Sequence, residues 1–202
     1  MKTVLYEKDG LIGRVTLNRP EKLNAINDDM PRDLEEAITL ANDDPDVSVI
    51  ILSGNGKAFC SGYDLSEYAQ GNESNKFTQK MPWDPIKDYQ TMWNDTQHFM
   101  SIWKSLKPVI CKVHGFAIAG GSDIALCSDM IIMADNAEIG YMPSRVWGTP
   151  TTAMWVHRIG PEQAKKMLFT GDKINGKEAE KIGLVLESVS PEKLDERVEA
   201  LA

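Results

Sequence analysis

The first quarter of the chain shows two kinds of apolar spacing, one typical of strands and one typical of helices. Apolar residues at alternating positions predict a two-stranded hairpin: Val4, Tyr6, Ile12, Val15 and Leu17. Asp9-Gly10, between the two strands, is a strong turn pair. Asp28 or Asp29 can cap a helix that ends near Ala41 and repeats apolar residues at helical spacing. The continuous apolar run at residues 47–52 predicts a buried strand.

The rest of the chain alternates predicted helices with further buried strands. Short apolar runs at residues 109–113 and 130–133 predict two more of these strands. The predicted helices occupy residues 97–106, 120–127, a segment through Trp155, 161–169 and 176–182. Strands that alternate with helices pair in parallel through right-handed crossovers. The pattern therefore predicts an α/β fold, and we place residues 1–202 in a single domain.

Residues 66–96 are the least regular part of the sequence. They are polar, and residues 71–75 are expected to form a mobile loop. A long excursion inside a compact domain is more often a binding loop than a linker. Trp83, Trp93 and Trp147 are candidates to line a pocket or to fill the core.

Composition limits the partners that this protein can bind. The 202 residues are 42% hydrophobic and 26% charged, which is ordinary for a globular protein. A net charge of −8 and a pI near 4.9 argue against nucleic acid or an anionic membrane. Phosphate binding needs clustered Lys and Arg side chains. A phosphorylated small molecule needs only a local patch, so this class of ligand stays open.

The cysteines and the N-terminal residues bear on the cellular compartment of the protein. Cys60, Cys111 and Cys127 lie in or beside apolar runs, and no CxxC pair or Cys/His ladder is present. We therefore expect buried, reduced thiols and no metal site. The chain enters a strand pattern directly, without an apolar signal segment or a membrane-spanning run. These features predict a cytoplasmic protein that is neither secreted nor inserted in a membrane.

Two glycine-rich segments have the composition of a site that binds negative charge. Residues 58–65 (Ala-Phe-Cys-Ser-Gly-Tyr-Asp-Leu) follow one buried strand, and residues 113–124 follow another. In the second segment Gly120-Gly121 begins a helix, whose first N–H groups lack partners and carry partial positive charge. Two such segments facing each other can share one oxyanion. Either segment alone would read as a simple turn, and neither the GxGxxG nor the P-loop pattern is present.

Several ordered segments of the chain resemble the crotonase (enoyl-CoA hydratase/isomerase) superfamily. They are residues 18–26 (Asn-Arg-Pro-Glu-Lys-Leu-Asn-Ala-Ile), 58–65, 107–110, 113–121, 127–129, 168–172, Ala179 and 183–185. The resemblance covers nearly the whole chain in the right order. It implies a spiral of stacked ββα units, assembled as a trimer or a dimer of trimers.

The resemblance also implies which residues form the site. The backbone N–H groups of Tyr63 and Gly120 would form an oxyanion hole for a thioester carbonyl. Tyr63 stands where the family often has a small residue, so its side chain is expected to narrow the pocket. The coenzyme A part of the substrate would contact two sets of residues: Lys22, Leu23 and Ala25, and Ser61, Asp64 and Leu65. A turn cap is the alternative role for Asp64, and no permanently bound cofactor is implied.

The sequence departs from the family at the two acidic positions that hydratases of the family use. Asp123 stands at the first, three residues after Gly120, and is expected to act as general acid or base; the alternative is an aspartate favoured by the helix dipole. Ser144, after Pro143, stands at the second and cannot act as a base alone. Three outcomes stay open: isomerisation by Asp123 alone, a water held by Ser144, or a second acid from residues 66–96.

These features predict an acyl-CoA thioester enzyme of the enoyl-CoA hydratase or isomerase type. The alternative is a non-catalytic acyl-CoA-binding or assembly subunit of the same family. A third interpretation, a serine peptidase of the related Clp fold with Ser122 as nucleophile, lacks a His/Asp partner pattern. The usual C-terminal helical region is expected to be largely absent after residue 202, and a homotrimer or hexamer is expected if that region is present.

Overall fold

A computed structural model describes residues 1–68, 79–145 and 152–202. Residues 71–75 and Trp147, which the sequence singles out, lie outside the described residues. The main sheet has six strands in the order β1-β2-β3-β4-β6-β9. They are β1 Val4–Asp9, β2 Ile12–Leu17, β3 Val49–Gly54, β4 Val109–Val113, β6 Met130–Ala134 and β9 Glu187–Val189. The hairpin β1-β2 is antiparallel, and every other neighbouring pair is parallel.

Three shorter strands form a second sheet in the order β5-β7-β8. They are β5 Phe116–Ile118, β7 Glu138–Gly140 and β8 Lys173–Asn175. A bridge from Cys60 to Ala117 extends this layer to the chain that follows β3. The parallel strands β3, β4 and β6 are thus each followed by a short strand or bridge in the second layer, which is the stacked ββα arrangement that the resemblance implies.

Seven helices pack around the sheets in the described ranges. They are α1 Met30–Asp43, α2 Leu65–Tyr68, α3 Pro85–Trp103, α4 Gly120–Leu126, α5 Met154–Thr170, α6 Gly176–Lys181 and α7 Leu194–Leu201. The strands β3, β4 and β6 are buried almost throughout, as their continuous apolar runs predict. Within the described ranges, no helix is both long and apolar enough to cross a membrane.

The sequence predicts an irregular segment over residues 66–96, and this prediction is wrong from residue 85 onward, where α3 begins. The helix begins at Pro85 rather than at Gln97, because the Asp84 side chain accepts a hydrogen bond from Ile86 N over 3.0 Å and caps it. Proline at the first helical position suits this start. Trp83 and Trp93 are exposed, so neither tryptophan fills the core.

Two further details of the secondary structure differ from the sequence prediction. The strands β5, β7, β8 and β9 have three residues each, too few to show a hydrophobic period. The two helices predicted around Trp155 and over residues 161–169 form one element, α5. A break at Gly160, with φ +71°, separates its two parts just before Pro161.

Candidate active site

Main-chain hydrogen bonds join three segments of the chain and form the framework of the candidate site. After β3, Cys60 N donates to Phe116 O over 2.8 Å, and Ile118 N donates to Cys60 O over 3.0 Å. Two residues further on, Ile26 N donates to Gly62 O over 2.8 Å. These bonds bring together the segments that resemble the family's N-terminal signature and its two oxyanion segments.

The two glycine-rich segments touch at Gly62 and Gly120. A Cβ on Gly62 would lie 3.8 Å from Gly120 N and 2.9 Å from the Cβ of Ala119, and Gly62 has φ +92°. Ala119, just before α4, also has a positive φ of 53°, which is uncommon for a residue with a Cβ. Its N–H donates to Gly140 O over 2.9 Å. Backbone strain of this kind concentrates at functional sites and ligand clamps.

Close packing explains the Gly120-Gly121 pair. A Cβ on Gly120 would lie 2.7 Å from Ile26 Cδ1 and 3.0 Å from a ring carbon of Tyr63. A Cβ on Gly121 would lie only 2.4 Å from Cys60 O, which is a main-chain atom. Both glycines are helical and lack a positive φ. The pair therefore serves the close approach of two backbone segments, and the simple-turn interpretation does not account for it.

The predicted coenzyme A residues before and after β3 lie side by side. Ser61 N donates to Leu23 O over 3.1 Å, and Lys22 Nζ donates to Ser66 Oγ over 3.3 Å. Leu23 and Asn24 both have a left-handed backbone, with φ of 51° and 55°. The buried Asn24 side chain donates to two main-chain oxygens after β3, each over 2.8 Å. A strained loop is thus held firmly against the first oxyanion segment.

A buried ion pair ties the same two segments together. Arg19 donates to Ala25 O over 2.5 Å and to Asp64 Oδ2 over 3.0 Å. The other carboxylate oxygen of Asp64 accepts from Ser66 N over 3.0 Å, at the start of α2. These contacts match the alternative role of Asp64 as a turn cap. Leu65 beside it is exposed.

Asp123 is buried although it lies in the first turn of a helix. Its side chain is 1% exposed, and Thr152 Oγ1 donates to Asp123 Oδ1 over 3.3 Å. Burial, and then the charge of Asp123, raise the pKa of Tyr141 above its ordinary value. Asp123 acts in the same direction on the pKa of Tyr63, after burial and Asp95. Asp123 therefore lies among phenols inside the protein, and the helix dipole alone does not account for its position.

The structure adds a carboxylate that the sequence interpretation did not name. Asp95, on α3, is 4% exposed, and Tyr63 Oη donates to Asp95 Oδ2 over 3.1 Å. The available signal was the buried face of α3, on which Asp95 precedes Thr96, Phe99 and Ile102. We refer to five residues as the buried polar cluster: Tyr63, Asp95, Asp123, Tyr141 and Thr152.

Ser144 lies in a short 3-10 turn after β7. Its hydroxyl donates to Tyr141 O over 2.9 Å, and a Cβ on Gly171 would lie 3.0 Å from Ser144 Oγ. Ser144 thus bonds to its own turn, whereas Asp123 accepts from Thr152. The observed contacts thus hold the 3-10 turn against the end of α5.

The other nucleophilic side chains in and near the two segments serve the core. Ser122 is fully buried, and its hydroxyl donates to Ala119 O over 2.6 Å. Cys60, Cys111 and Cys127 are free and buried, as predicted. Burial raises the pKa of the Cys60 and Cys127 thiols to about 12, so neither forms a reactive thiolate near neutral pH.

The fold is a spiral α/β arrangement in which two glycine-rich segments meet beside a buried carboxylate, and comparison with known proteins defines its family. The sequence model of the enoyl-CoA hydratase/isomerase family matches residues 7–202. The chain belongs to this family, the crotonase superfamily that its sequence resembles.

Several relatives and solved structures are similar over nearly the whole chain. Crotonyl-CoA hydratase of Syntrophomonas wolfei is 34% identical over 205 residues, covering 100% of this chain and 74% of that protein. (E)-benzylidenesuccinyl-CoA hydratase of Thauera aromatica is 33% identical, covering 95% of this chain and 71% of that protein. The crystal structure of an enoyl-CoA hydratase from Mycobacterium smegmatis superposes with a TM-score of 0.91 and 45% identity, over 100% of this chain and 70% of that one.

The Arg19–Asp64 pair should stabilise the fold in a way that depends on pH. Burial works to raise the pKa of Asp64, but hydrogen bonds from Ser66 and the charge of Arg19 outweigh it and hold the pKa below 3.8. A lowered folded-state pKa gives stability that is present above 3.8 and is lost as pH falls through the folded value. We expect Arg19→Gln to lower the free energy of unfolding by about 3 kcal/mol at pH 7. Urea denaturation should show a smaller difference from wild type at more acidic pH.

Arg145→Gln is the matched control for this prediction. Arg145 also pairs with an aspartate, Asp172, over 2.6 Å, and also donates to a main-chain oxygen, but both side chains are about half exposed. Its loss should cost less than about 1 kcal/mol. Equal losses for the two variants would contradict a special role for the buried pair.

Proposed function

We propose that this protein converts an enoyl-CoA thioester by hydration or by double-bond isomerisation, through an enolate held by the main-chain N–H groups of Tyr63 and Gly120. The observation that carries the proposal is the contact of the two glycine-rich segments at Gly62 and Gly120, with Asp123 buried one helical turn further on. Two fixed donors aimed at a developing oxyanion are worth roughly 100- to 1,000-fold each. The family to which the chain belongs supports the substrate class.

Asp123 is the proposed acid or base at the α-carbon of the substrate. A positioned proton-transfer group contributes roughly 100- to 10,000-fold. In isomerisation one carboxylate is sufficient, because Asp123 removes a proton from one carbon and returns it to another. In hydration Asp123 handles the proton of the α-carbon, and a second group has to accept the proton of the water.

Coenzyme A is proposed to bind only as part of the substrate, without a resident cofactor. Two adjacent sets of residues would contact it: Lys22, Leu23 and Ala25, and Ser61, Asp64 and Leu65. The hydrogen bond between Ser61 and Leu23 supports their joint use. The exposed Lys22 ammonium provides a local positive charge on an acidic protein, as a phosphate-bearing ligand requires.

We extend the proposal to assembly and location. The family resemblance supports a homotrimer or a hexamer if the usual C-terminal helical region is present, and the buried thiols support a cytoplasmic location. Light scattering after size-exclusion chromatography of the natural protein measures the assembly, and a monomeric mass would contradict it.

Replacing Asp123 with Asn should abolish most turnover while leaving substrate binding in place. We expect kcat to fall roughly 100- to 10,000-fold, because the amide cannot exchange a proton. The assays are hydration of crotonyl-CoA and isomerisation of vinylacetyl-CoA, and calorimetry with butyryl-CoA measures binding. Asp195→Asn is the control, since Asp195 also lies in the first turn of a helix but is 80% exposed.

Two results of this experiment have different meanings. Full activity of Asp123→Asn would remove Asp123 from the mechanism. Binding of butyryl-CoA by wild type without turnover of either substrate would instead favour the non-catalytic acyl-CoA binder. The position of Ser144 against Gly171 is the observation that favours this alternative.

Gly121→Ala tests whether contact between the two segments sets the rate. The new Cβ would lie 2.4 Å from Cys60 O, so the backbones have to separate. A misplacement of about 1 Å can cost on the order of 100-fold in rate. Gly10→Ala is the control, because Gly10 has φ +61° but no atom within 4 Å of its Cβ position. Both variants should lose stability in thermal unfolding, but only Gly121→Ala should lose turnover per folded molecule.

A further inference from the structure

Hydration of an enoyl thioester needs two proton transfers, and the residues identified so far supply one. A proton has to leave the attacking water, and another has to reach the α-carbon. Asp123 can serve the α-carbon, but Ser144 replaces the second carboxylate of the family and donates to Tyr141 O. The structure places a different carboxylate, Asp95, in the buried polar cluster.

Asp95 occupies a position on α3 that faces the core. The buried residues of this helix are Asp95, Thr96, Phe99 and Ile102, which share one helical face. Removing a carboxylate from water costs several kcal/mol unless partners compensate. A hydrogen bond from Tyr63 Oη over 3.1 Å is one such partner. Asp95 is therefore a buried carboxylate in direct contact with a residue of the candidate site.

Tyr63 connects Asp95 to the expected position of the substrate. Its ring carbons would lie 3.0 and 3.2 Å from a Cβ on Gly120, so the ring covers the start of α4. Its hydroxyl reaches Asp95, and Asp123 is close enough to act on the pKa of the phenol. The Tyr63 side chain therefore contacts one carboxylate and feels the charge of the other, while its own main-chain N–H is the proposed oxyanion donor.

We propose that Tyr63 and Asp95 form the second proton-transfer pair of this site, and that the reaction is hydration. This inference rests on the proposed function. Tyr63 is the catalytic residue of the pair because its hydroxyl contacts the water. Asp95 is a positioning residue, which directs the hydroxyl and holds the proton behind it.

The proton transfers balance as follows for addition of water. One O–H bond of water breaks, its proton passes to Tyr63 Oη, and the original Tyr63 proton passes to Asp95, so the phenol stays neutral. The water oxygen bonds to the β-carbon, and the electron pair of the double bond moves to the thioester oxygen as an enolate. Asp123, in its acid form, protonates the α-carbon as the enolate electrons form the C–H bond. Asp95 has then gained the proton that the water lost, and Asp123 has lost the proton that the α-carbon gained; proton exchange with solvent after product release restores both groups.

Burial, and then Asp95, raise the pKa of Tyr63 well above its ordinary value of 10.0. The phenol therefore keeps its proton near neutral pH, as a neutral relay requires. A tyrosinate intermediate beside two carboxylates would be disfavoured by the same charges.

The test uses two conservative substitutions, Tyr63→Phe and Asp95→Asn, with crotonyl-CoA as substrate. Phenylalanine keeps the ring and the main-chain N–H, and asparagine keeps an oxygen that can accept from Tyr63. We expect each variant to lower kcat roughly 100- to 10,000-fold. KM should stay within about threefold, because only the transition state loses an interaction. The double variant should be no slower than Tyr63→Phe, since residues that act as a unit are not additive.

Tyr68→Phe is the matched control. Tyr68 also donates to an aspartate, Asp28, over 2.7 Å, and its ring lies edge-on to Tyr63 at 5.9 Å. The Tyr68→Phe substitution removes the same kind of hydrogen bond next to the pair. Its kcat should stay within about twofold of wild type. Thermal unfolding of all variants separates loss of the fold from loss of proton transfer.

Each outcome decides between the two proposals. If wild type is active and both Tyr63→Phe and Asp95→Asn have a lowered kcat, the result supports the Tyr63–Asp95 pair. Active wild type with unchanged kcat in folded variants overturns the pair and leaves the proposed function standing. If the losses in kcat of the two single variants multiply in the double variant, Tyr63 and Asp95 act independently, and this result also overturns the pair. Wild type that binds butyryl-CoA but turns over neither crotonyl-CoA nor vinylacetyl-CoA overturns both.

Discussion

The contact between the main chain after β3 and the main chain entering α4 is the constraint on which the rest of this site depends. Cys60 pairs with β5 through two main-chain hydrogen bonds, and Gly121 lets the helix approach within van der Waals distance of Cys60 O. Side chains at these positions would hold the segments apart. The same contact places Gly62 next to the first amide of α4, so the fold and the proposed oxyanion hole share one packing interaction.

Buried charge has two different uses around this contact. The Arg19–Asp64 pair is compensated by hydrogen bonds on both sides and ties the N-terminal signature to the first oxyanion segment. Asp95 and Asp123 lie on the other side of this contact, where Tyr63 Oη donates to Asp95 and Thr152 Oγ1 donates to Asp123. These two carboxylates are the groups to which we assign proton transfer.

Much of the architecture follows from local pattern. The hairpin β1-β2, the buried strands β3, β4 and β6, and the helices α1 and α4 appear where apolar spacing predicts them. The start of α3 at Pro85 was not predicted, because residues 66–96 are polar and the Asp84 cap is a single local contact. The three-residue strands were missed because pairing with neighbours, rather than their own sequence, makes them strands.

The sequence by itself determined the family, the α/β class and the identity of the two glycine-rich segments, because ordered motifs and hydrophobic period are local properties of the chain. Only the tertiary structure decided that Asp123 is buried, that Ser144 packs against Gly171, and that Asp95 meets the Tyr63 hydroxyl. Tyr63 and Asp95 are far apart along the chain, and a contact between such residues exists only once α3 packs over the segment that follows β3. The chemistry of the site therefore depends on long-range packing that local pattern does not encode.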